Sequence, residues 1–342
     1  MPRKSRKSNH VSLVTGATSP LGALVIQRLL EQGDEVRALV RQKPDANPER
    51  LKLLVGIKPY IADISKSDEE TFSMMERACK GVDRIFHFAS VPQTGKTHVD
   101  VYRNVSVVGT ELLLRAYIAS NDASSKLRLV YSSSTAVYGY DRKGELLTED
   151  SKTTPKNPYG ESKFMTEEVI KAFAAVNSRI TYTIFRIAVM YGPGYDYGFE
   201  QLFRLIKRGR MRIIGNGANH LTLVNEHDVA DAVILAADSE RAANRVYNLS
   251  DGVNYTQREL LQMAAKLLGT TIPERGVNPA LASLAAKASG MDGSQMRFLL
   301  SDRTMSIDRI REELGFVPKR KMESEGKALV DGFKRQYSDA ME

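Results

Sequence analysis

The sequence predicts an α/β protein in which a doubly wound parallel sheet carries a smaller, mostly helical C-terminal lobe. Short β-branched segments alternate with longer amphipathic ones between residues 11 and 190, and this alternation is typical of parallel βαβ units. A glycine turn follows the first predicted strand. The chain has 342 residues, 42% of them hydrophobic, which is enough to bury the core of one large domain and of a second lobe.

The elements follow in order from the N-terminal side. Strands are predicted at VSLV, EVRALV, DRIFHF, LRLVYSS and ITYTIFRI. The helices between them are predicted at LGALVIQRLLEQ and near Glu69–Cys79, Val107–Ala119 and Tyr159–Val176. Further along, EHDVADAVILAA predicts a helix and RVYNLSD a strand that return to the sheet, and SIDRIREELGF predicts a helix that ends at a glycine.

The same pattern predicts how the chain is divided. Residues 1–10 are expected to form a flexible basic tail. Residues 11–190 are assigned to the sheet domain, to which residues 223–250 return. Residues 191–222 and 251–342 are assigned to the second lobe, because glycine and proline become frequent after residue 190 and the strict alternation ends there.

Composition argues against several classes of protein. No run of about 18 apolar residues occurs, and MPRKSRKSNH lacks the apolar stretch of a secretory signal, so we expect a cytoplasmic protein with no membrane partner. The formal charge is +8, but no nucleic-acid motif accompanies it, and attraction of an anionic cofactor or substrate explains it better. The single cysteine, Cys79, excludes an intramolecular disulfide and is expected to fill space rather than react. No metal site is expected.

The segment VSLVTGATSPLG predicts a dinucleotide site. It places a strand, a tight glycine turn and the first turn of a helix in succession, which presents backbone N–H groups and the positive end of a helix to a pyrophosphate. Gly16 would form the turn, and Gly22 would let the helix pack closely on the strand. Two glycines alone also suit an ordinary βα turn. The candidate cofactor residues here are Gly16, Thr18, Ser19, Pro20, Leu21 and Gly22.

The end of the second strand bears on the choice of cofactor. NAD-binding sites commonly place an acidic residue there for the ribose 2′-OH, whereas this chain has Val40 followed by Arg41. An arginine suits a 2′-phosphate, because its planar donors match phosphate geometry. The sequence therefore favours NADP and leaves NAD open, with a solvated loop cation as the structural alternative for Arg41.

Two later strand ends complete the predicted cofactor site. In YIADIS, Asp63 ends a strand where its carboxylate can accept a hydrogen bond from the adenine amino group, and Ile64 follows it. HFAS ends the next strand on the expected nicotinamide-ribose side. Its His87 is interpreted as a strand-end histidine with satisfied hydrogen bonds rather than as a catalyst. The remaining candidates are Phe88, Ala89 and Ser90, together with Tyr159 and Lys163.

A serine, a tyrosine and a lysine form the candidate catalytic group. Ser134 lies in YSSSTAVYG after an apolar strand, and PYGESK places Tyr159 and Lys163 four residues apart on one face of a helix. A nearby ammonium favours the phenolate of a tyrosine, whose ordinary pKa is about 10. Lys163 would also hold the nicotinamide ribose, and Ser134 would hydrogen-bond the reacting oxygen. A surface tyrosine and lysine beside a serine-rich strand end is the structural alternative.

The order of these motifs resembles one family. TGATSPLG, ADI, HFAS, SSSTAVYG, PYGESK, FRIAVMYGPG and EHDVADA occur as in the extended short-chain dehydrogenases, the NAD-dependent epimerase/dehydratase family. The resemblance runs from Val11 to Ser250 and implies a Rossmann-type fold with an NAD(P)-binding domain. It also implies hydride transfer at a secondary alcohol or ketone carbon, and a homodimer formed through the helices near Val107–Ala119 and Tyr159–Val176.

The chain departs from the family pattern at two places. Ser19 stands where the turn commonly has its middle glycine. Ser106 stands where the family commonly has an asparagine, three residues before Gly109, and Asn104 lies two residues earlier. If that asparagine binds a structural water in relatives, then in this chain either Ser106 binds the water or the proton relay works without it.

The residues after Ser134 bear on the reaction. Dehydratases of the family typically follow the active-site serine or threonine with an Asp–Glu pair, whereas here Thr135 and Ala136 follow, so dehydration is disfavoured. The first interpretation is a nucleotide-sugar epimerase or dehydrogenase, indicated by the segment TEDSKTTPKNPYGESK. Its phosphate pocket would have to be rebuilt by Arg297 or by the cations of RLIKRGRMR. Those cations are Arg204, Lys207, Arg208, Arg210 and Arg212.

A second interpretation is an NADP-dependent reductase of a less charged ketone or aldehyde. Nucleotide-sugar members usually have an asparagine where this chain has Val189 and an arginine where it has Leu221, and these two side chains would give an apolar lining. An arginine-rich segment is also more often a solvated helix face than a phosphate site. A non-catalytic cofactor-binding regulator is the third interpretation, disfavoured because Tyr159 and Lys163 are both present.

Overall fold

The structure is a computed structural model that describes residues 10–41, 57–93, 97–192, 199–288 and 293–336. Apart from His10, the predicted basic tail lies outside these ranges. The strands are β1 (Val11–Thr15), β2 (Glu35–Val40), β3 (Lys58–Ile61), β4 (Arg84–His87), β5 (Leu127–Ser134), β6 (Asp141–Leu147), β7 (Ile180–Ile187), β8 (Val189–Tyr191), β9 (His220–Asn225), β10 (Arg245–Leu249), β11 (Asn254–Thr256) and β12 (Asp302–Met305).

The helices surround these strands. They are α1 (Pro20–Gln32), α2 (Glu69–Cys79), α3 (Val99–Tyr102), α4 (Gly109–Ser120), α5 (Pro158–Val176), α6 (Phe199–Lys207), α7 (Glu226–Ala237), α8 (Gln257–Leu267), α9 (Pro279–Ala288), α10 (Gly293–Leu300), α11 (Asp308–Leu314) and α12 (Met322–Gln336). A π-helical segment, Arg103–Val108, joins α3 to α4, and a 3₁₀ turn, Thr135–Tyr138, follows β5. No helix in the described ranges is long and apolar enough to span a membrane.

Seven strands form one parallel sheet in the order β3-β2-β1-β4-β5-β7-β10. The chain runs outward from β1 to β3 and then returns to the other side of β1 to add β4. Ligands of open parallel sheets bind at such a reversal, outside the carboxyl ends of the strands. The α/β fold class predicted from the sequence, a Rossmann fold, is confirmed.

Both faces of this sheet are covered by helices. Successive strand residues point to opposite faces, so Leu13 and Val14 of β1 are both fully buried but belong to different apolar clusters. Helices α1 and α7 cover one face, and α2, α4 and α5 cover the other. The near-continuous apolar runs of the strands follow from this burial on two sides.

Two helices, α1 and α5, have their N-termini at the candidate site, and both begin with a polar capping residue followed by proline. Ser19 caps α1 and Asn157 caps α5, each side chain accepting a hydrogen bond from a backbone N–H three residues on. Pro20 and Pro158 follow, at positions where the helix needs no N–H donor. Polar cap plus proline therefore fixes where each helix begins.

The second lobe has its own core, to which α6, α8, α10 and α12 contribute. Its strands form a three-stranded sheet, β11-β9-β8, and β6 pairs with β12. Leu221 of β9, which the reductase interpretation places in the substrate lining, is only 2% exposed. It lines an apolar cavity of about 20 Å³ between α6 and α8.

The helix predicted near Val107–Ala119 is present as α4, but the helical residues before it were not predicted. Helix α3 and the π-helical segment lead into α4 from Val99. A π-turn holds more residues than an α-turn, so it interrupts the 3.6-residue apolar period from which the helix was predicted.

Candidate active site

The glycine turn after β1 leaves no space for side chains at its two glycines. A Cβ on Gly16, where φ is +65°, would lie 2.7 Å from the backbone carbon of Phe88. A Cβ on Gly22 would lie 2.4 Å from the carbonyl oxygen of Gly16. Ser19 is extended, with φ −79° and ψ 157°, so a side chain is accommodated there. The first turn of α1 contains no acidic residue, and its N-terminus can therefore receive a phosphate.

The ends of β1 and β4 are joined through a buried histidine. Thr15 Oγ1 lies 2.7 Å from His87 Nδ1, and Thr110 Oγ1 lies 2.8 Å from Nε2. Because Thr110 donates its own proton to the carbonyl of Ser106, Nε2 carries the histidine proton and Nδ1 accepts from Thr15. Burial, with a smaller contribution from Lys163, lowers the pKa of His87 to about 3. His87 is thus a neutral, satisfied strand-end residue, as interpreted from the sequence.

The candidates for the adenosine side lie on neighbouring strand ends. Val40 of β2 pairs with Ile61 of β3, and exposed Arg41 follows directly. Asp63 Oδ1 accepts hydrogen bonds from the backbone N and Oγ of Ser65, at 3.0 and 2.7 Å. One carboxylate oxygen therefore holds the local turn, and the contact to adenine stays a prediction.

Ile64 and the first residue of α4 are in close contact. A Cβ on Gly109 would lie 2.7 Å from the carbonyl oxygen of Ile64, so only glycine allows this approach. On the nicotinamide side, Thr15 Oγ1 accepts from the backbone N of Phe88 and Ala89, at 3.2 and 3.1 Å. The predicted cofactor residues thus lie around one edge of the sheet.

Lys163 is buried beneath Tyr159. Its side chain is 2% exposed, and Nζ donates a hydrogen bond of 2.6 Å to the carbonyl of Ser132. Nζ lies 5.9 Å from the centre of the Tyr159 ring and 4.9 Å from that of Tyr131. Burial lowers the pKa of Lys163 to about 7, against the opposing effect of Glu167. The lysine predicted to act on the tyrosine lies within reach of it.

Ser134 and the start of α5 meet at the 3₁₀ turn. Ser134 Oγ accepts from the backbone N of Ala136 at 3.2 Å and caps this turn. A Cβ on Gly160 would lie 2.7 Å from the carbonyl oxygen of Ala136, so α5 packs directly on the turn. Ser134 and Tyr159 are both partly exposed at this junction. The three predicted catalytic residues therefore occupy one region of the molecule.

A buried ion pair that sequence reasoning did not single out braces this region. Glu167 is fully buried one turn after Lys163, and its Oε2 lies 2.8 Å from Arg186 Nη2. Ser133 Oγ donates to Glu167 Oε1 at 2.5 Å. The pair joins α5 to β7 and holds the residue between Ser132 and Ser134. The spacing of four residues from Lys163 placed Glu167 on the same helix face, but nothing local indicated Arg186.

A second group missed in the sequence surrounds Tyr140, just past the 3₁₀ turn. The carbon at the centre of the Arg303 guanidinium lies 5.7 Å from the centre of the Tyr140 ring, and that of Arg297 lies 5.9 Å from it. The Tyr140 hydroxyl accepts hydrogen bonds from Asn157 Nδ2 and, at 2.9 Å, from Gln93 Nε2. We call Gln93, Tyr140, Asn157, Arg297 and Arg303 the Tyr140 cluster.

The arginine-rich segment, in contrast, lies at the surface. Arg204 pairs with Glu200 one turn earlier on α6, at 2.6 Å. Arg212 Nη1 donates to the nearby carbonyls of Gly209 and Met211, and the remaining cations are exposed. Arg204 and Arg212 are thus engaged within their own helix and turn, and the phosphate role considered for this segment stays a prediction.

Comparison with known proteins identifies the family. The family model described as "NAD dependent epimerase/dehydratase family" matches residues 12–250. The chain belongs to this family. A UDP-glucose 4-epimerase of Lactobacillus helveticus is 33% identical over 289 residues, which are 76% of this chain and 82% of that protein. The resemblance inferred from the motifs is confirmed, and the chain is an enzyme of this family.

Other family relatives differ in what their names state. A sterol demethylase protein B of Methylococcus capsulatus is 26% identical over 326 residues, 90% of this chain and 93% of that protein. A solved UDP-glucuronic acid 4-epimerase of Bacillus cereus, in complex with UDP-glucuronic acid and NAD, has a TM-score of 0.75 at 19% identity. It covers 95% of this chain and 99% of its own, and this likeness concerns the fold.

This epimerase/dehydratase family member has a modified active-site helix. Ser106 is 2% exposed within the π-helical segment, and its carbonyl accepts from Thr110. Asn104 is exposed. Tyr102 donates to the carbonyl of Pro92 and packs edge-on against Tyr159, with ring centres 6.0 Å apart. In this family member, packing by Tyr102 helps to orient the tyrosine.

Proposed function

We propose that the chain is a nucleotide-sugar epimerase or dehydrogenase that oxidises and reduces a secondary alcohol carbon. The observation that carries this proposal is the buried Lys163, whose Nζ lies 2.6 Å from the carbonyl oxygen of Ser132 and 5.9 Å from the centre of the Tyr159 ring. A buried cation beside a partly exposed phenol is what proton transfer at a carbinol oxygen requires. The matching UDP-glucose 4-epimerase supports a nucleotide-sugar substrate.

The residues divide the chemistry with the cofactor. A bound nicotinamide would supply the hydride acceptor and donor for the carbinol carbon. Tyr159, as phenolate, accepts the hydroxyl proton while the C–H bond breaks, which leaves a ketone. Ser134 Oγ donates a hydrogen bond to the same oxygen, and the Lys163 ammonium stabilises the phenolate. If the ketone were then reduced from its opposite face, Tyr159 would return the proton to the oxygen and the product would be the epimer.

The structure's turn after β1 would hold the cofactor. Gly16, Ser19 and Gly22 shape the N-terminus of α1 toward a pyrophosphate, and the family and its NAD-bound relative favour NAD. Arg41 favours NADP, because it lies where an acidic residue would bind the ribose 2′-OH. Mass spectrometry of the nucleotide released on denaturation distinguishes NAD from NADP as the bound cofactor. Titration of the cofactor-free protein with NADH and NADPH then measures its preference. Retained NAD supports the epimerase, whereas an empty site that prefers NADPH contradicts it.

The proton-transfer roles predict the effect of two substitutions. Tyr159→Phe and Lys163→Ala are each expected to lower the turnover of UDP-glucose or UDP-galactose by about 10²- to 10⁴-fold, since each removes one part of general acid–base catalysis. Turnover is followed by chromatography of the two sugars, with circular dichroism to confirm that the fold persists. Thr181→Ser, remote on β7, is the control. Unchanged turnover in either purified variant removes the assignment.

A second candidate is an NADP-dependent ketone or aldehyde reductase. Arg41 favours it, and the relative named sterol demethylase protein B shows that family members carry names outside nucleotide-sugar chemistry. Net consumption of NADPH with an apolar ketone, and no interconversion of UDP-sugars, would establish this candidate over the first.

We further propose a cytoplasmic homodimer. Exposed apolar side chains support an interface on the predicted helices, with Val101 on α3 44% exposed, Met165 on α5 45% and Val176 88%. The single cysteine, Cys79, is buried, and a chain with one cysteine forms no intramolecular disulfide, which fits a reducing compartment. Sedimentation equilibrium measures the assembly, and a monomer at micromolar concentration contradicts it.

A further inference from the structure

Arg303 is a buried cation that pairs with no carboxylate among the described side chains. It is 7% exposed on β12, and Nη1 donates to the carbonyls of Thr135 and Gly139, each at 3.2 Å. Among the side chains that the structure describes, no carboxylate lies within ion-pair distance of it, and none accepts a hydrogen bond from its Nε or Nη2. A guanidinium has five N–H donors, so most of its capacity is left for another acceptor.

This arrangement is costly unless an anion completes it. Burial lowers the pKa of Arg303 to about 10, against the opposing effect of Tyr140, so the group is still charged at neutral pH. A buried charge is normally paired, since two carbonyl dipoles replace only part of its hydration. By contrast, buried Arg186 is paired with Glu167. An anionic ligand would pair with the buried charge of Arg303 as Glu167 pairs with that of Arg186.

The cation lies beside the proton-transfer residues. The two carbonyls that it binds belong to the segment that starts directly after Ser134. Tyr140, against which it stacks, is held by Asn157, which caps the helix of Tyr159. An anion on the Tyr140 cluster would therefore be close to the reacting carbon of a bound substrate.

We propose that the Tyr140 cluster, with Arg303 as its main donor, binds a carboxylate that the substrate carries beside its reacting carbon. Two substrates share this chemistry: a nucleotide-linked uronic acid and a 3-hydroxy acid. The planar fork of arginine pairs with both oxygens of a carboxylate. The diphosphate of a nucleotide sugar is a less suitable occupant, because it is attached through the anomeric oxygen rather than beside the carbinol. The inference rests on the proposed function for the position of the reacting carbon.

Binding of a matched acid and neutral sugar tests the proposal. Cofactor-loaded protein is titrated calorimetrically with UDP-glucuronic acid and with UDP-glucose, which differ in the carboxylate alone. We expect the acid to bind more tightly by about tenfold or more, as one charge-assisted contact allows. Equal affinities overturn the proposal.

Variants then assign the preference to Arg303. Arg303→Gln is expected to weaken binding of the acid by about 10- to 100-fold more than binding of UDP-glucose. Arg303→Lys keeps the charge without the planar guanidinium, so its affinity for the acid should lie between those of the wild type and Arg303→Gln. Arg77→Gln, an exposed site on α2, removes the same charge and should keep the full preference. Equal weakening of both sugars by Arg303→Gln assigns the cation to the diphosphate and overturns the carboxylate assignment.

A simple carboxylate separates failure of the proposal from failure of the proposed function. Wild type, Arg303→Gln and Arg77→Gln are melted in malonate and in sodium chloride of equal ionic strength. We expect malonate to stabilise wild type and Arg77→Gln but not Arg303→Gln, even if no nucleotide sugar binds. Equal stabilisation of all three, or of none, rejects the anion site whatever the substrate. Arg303→Gln also loses two hydrogen bonds to carbonyls, which lowers its stability in either salt. Its melting temperature in malonate is therefore compared with its own melting temperature in sodium chloride.

Discussion

His87 is fully buried at the end of β4, with both ring nitrogens bonded to threonines. Its pKa in the folded protein is about 3, against 6.5 ordinarily, because burial disfavours the charged ring. Between these two pH values the unfolded chain binds more protons than the folded one, so the folded state loses stability as pH falls. Above pH 6.5 the contribution of His87 is fully present.

This difference predicts a pH-dependent effect of His87→Gln. From pH 7 to pH 4.5, the free energy of unfolding of wild type is expected to fall by roughly 2–3 kcal/mol more than that of the variant, since glutamine does not titrate. Urea unfolding of stripped protein at several pH values measures both curves. Parallel curves would mean that His87 is accessible to protons in the folded state.

At the residue scale, what could be predicted depended on distance along the chain. Tyr159 and Lys163 share one helix, so local spacing predicts that they lie together, whereas Ser134, at the end of a separate strand, was assigned to them from the order of the motifs. Arg303 reaches the same turn only because β12 pairs with β6. No local sequence pattern predicts that pairing. Arg297 was predicted as a possible phosphate-binding residue, but its contact with Tyr140 was not predicted.

The ion pair of Glu167 and Arg186 connects two elements, α5 and β7. Glu167→Gln is expected to destabilise the protein by about 3–5 kcal/mol, because it leaves a buried guanidinium unpaired. Replacing both residues by leucine should cost less than the single change. Glu168→Gln, on the exposed side, should cost less than about 1 kcal/mol. Chemical unfolding compares these three variants with the wild type. A double variant less stable than Glu167→Gln would contradict the expectation that an unpaired buried charge costs more than the loss of both charges.

Close packing of α1 on β1 gives a second prediction at this scale. Gly22→Ala is expected to cost about 1–3 kcal/mol and to weaken cofactor binding, because the new Cβ would overlap the Gly16 carbonyl. Gly332→Ala, on α12 with open space at its Cβ, should instead stabilise by up to about 1 kcal/mol. Thermal melts with and without cofactor compare the two, and similar effects from both would show that helix propensity dominates.

The elements themselves were predicted where their periods are long. The helix EHDVADAVILAA and the strands EVRALV and ITYTIFRI have the bounds expected from the sequence. Three-residue strands such as β8 and β11 were not predicted, since alternation cannot be recognised over so short a length. The π-helical segment was missed for the related reason that it breaks a period.

At the scale of the whole molecule, α12 completes the core of the second lobe. Its buried side chains are Met322, Leu329, Val330 and Phe333. Their burial is worth on the order of 6–12 kcal/mol, which is comparable with the stability of a domain. A chain that ends at Lys321 is therefore expected to lose the folded lobe, whereas Lys327→Ala on the exposed face should have little effect. Equal urea midpoints for the truncated and full chains would contradict this.

The layered sheet could be predicted because alternating strands and helices specify it directly. The meeting of the two lobes could not, because it depends on contacts such as Arg320 with Asp228, at 2.7 Å, which join the segment before α12 to α7. Such contacts are defined by the final fold and have no counterpart in local sequence.

The position of β10 at the edge of the sheet affects how the chain is made. β10 pairs with β7, yet the strands β8 and β9 of the other lobe are synthesised between them. A ribosome releases the N-terminal strands first, so the free edge of β7 remains uncovered until residue 249 has emerged. Such an edge can pair with a neighbouring nascent chain. Synthesis of this interval is therefore a period in which the growing sheet is open to edge-to-edge pairing.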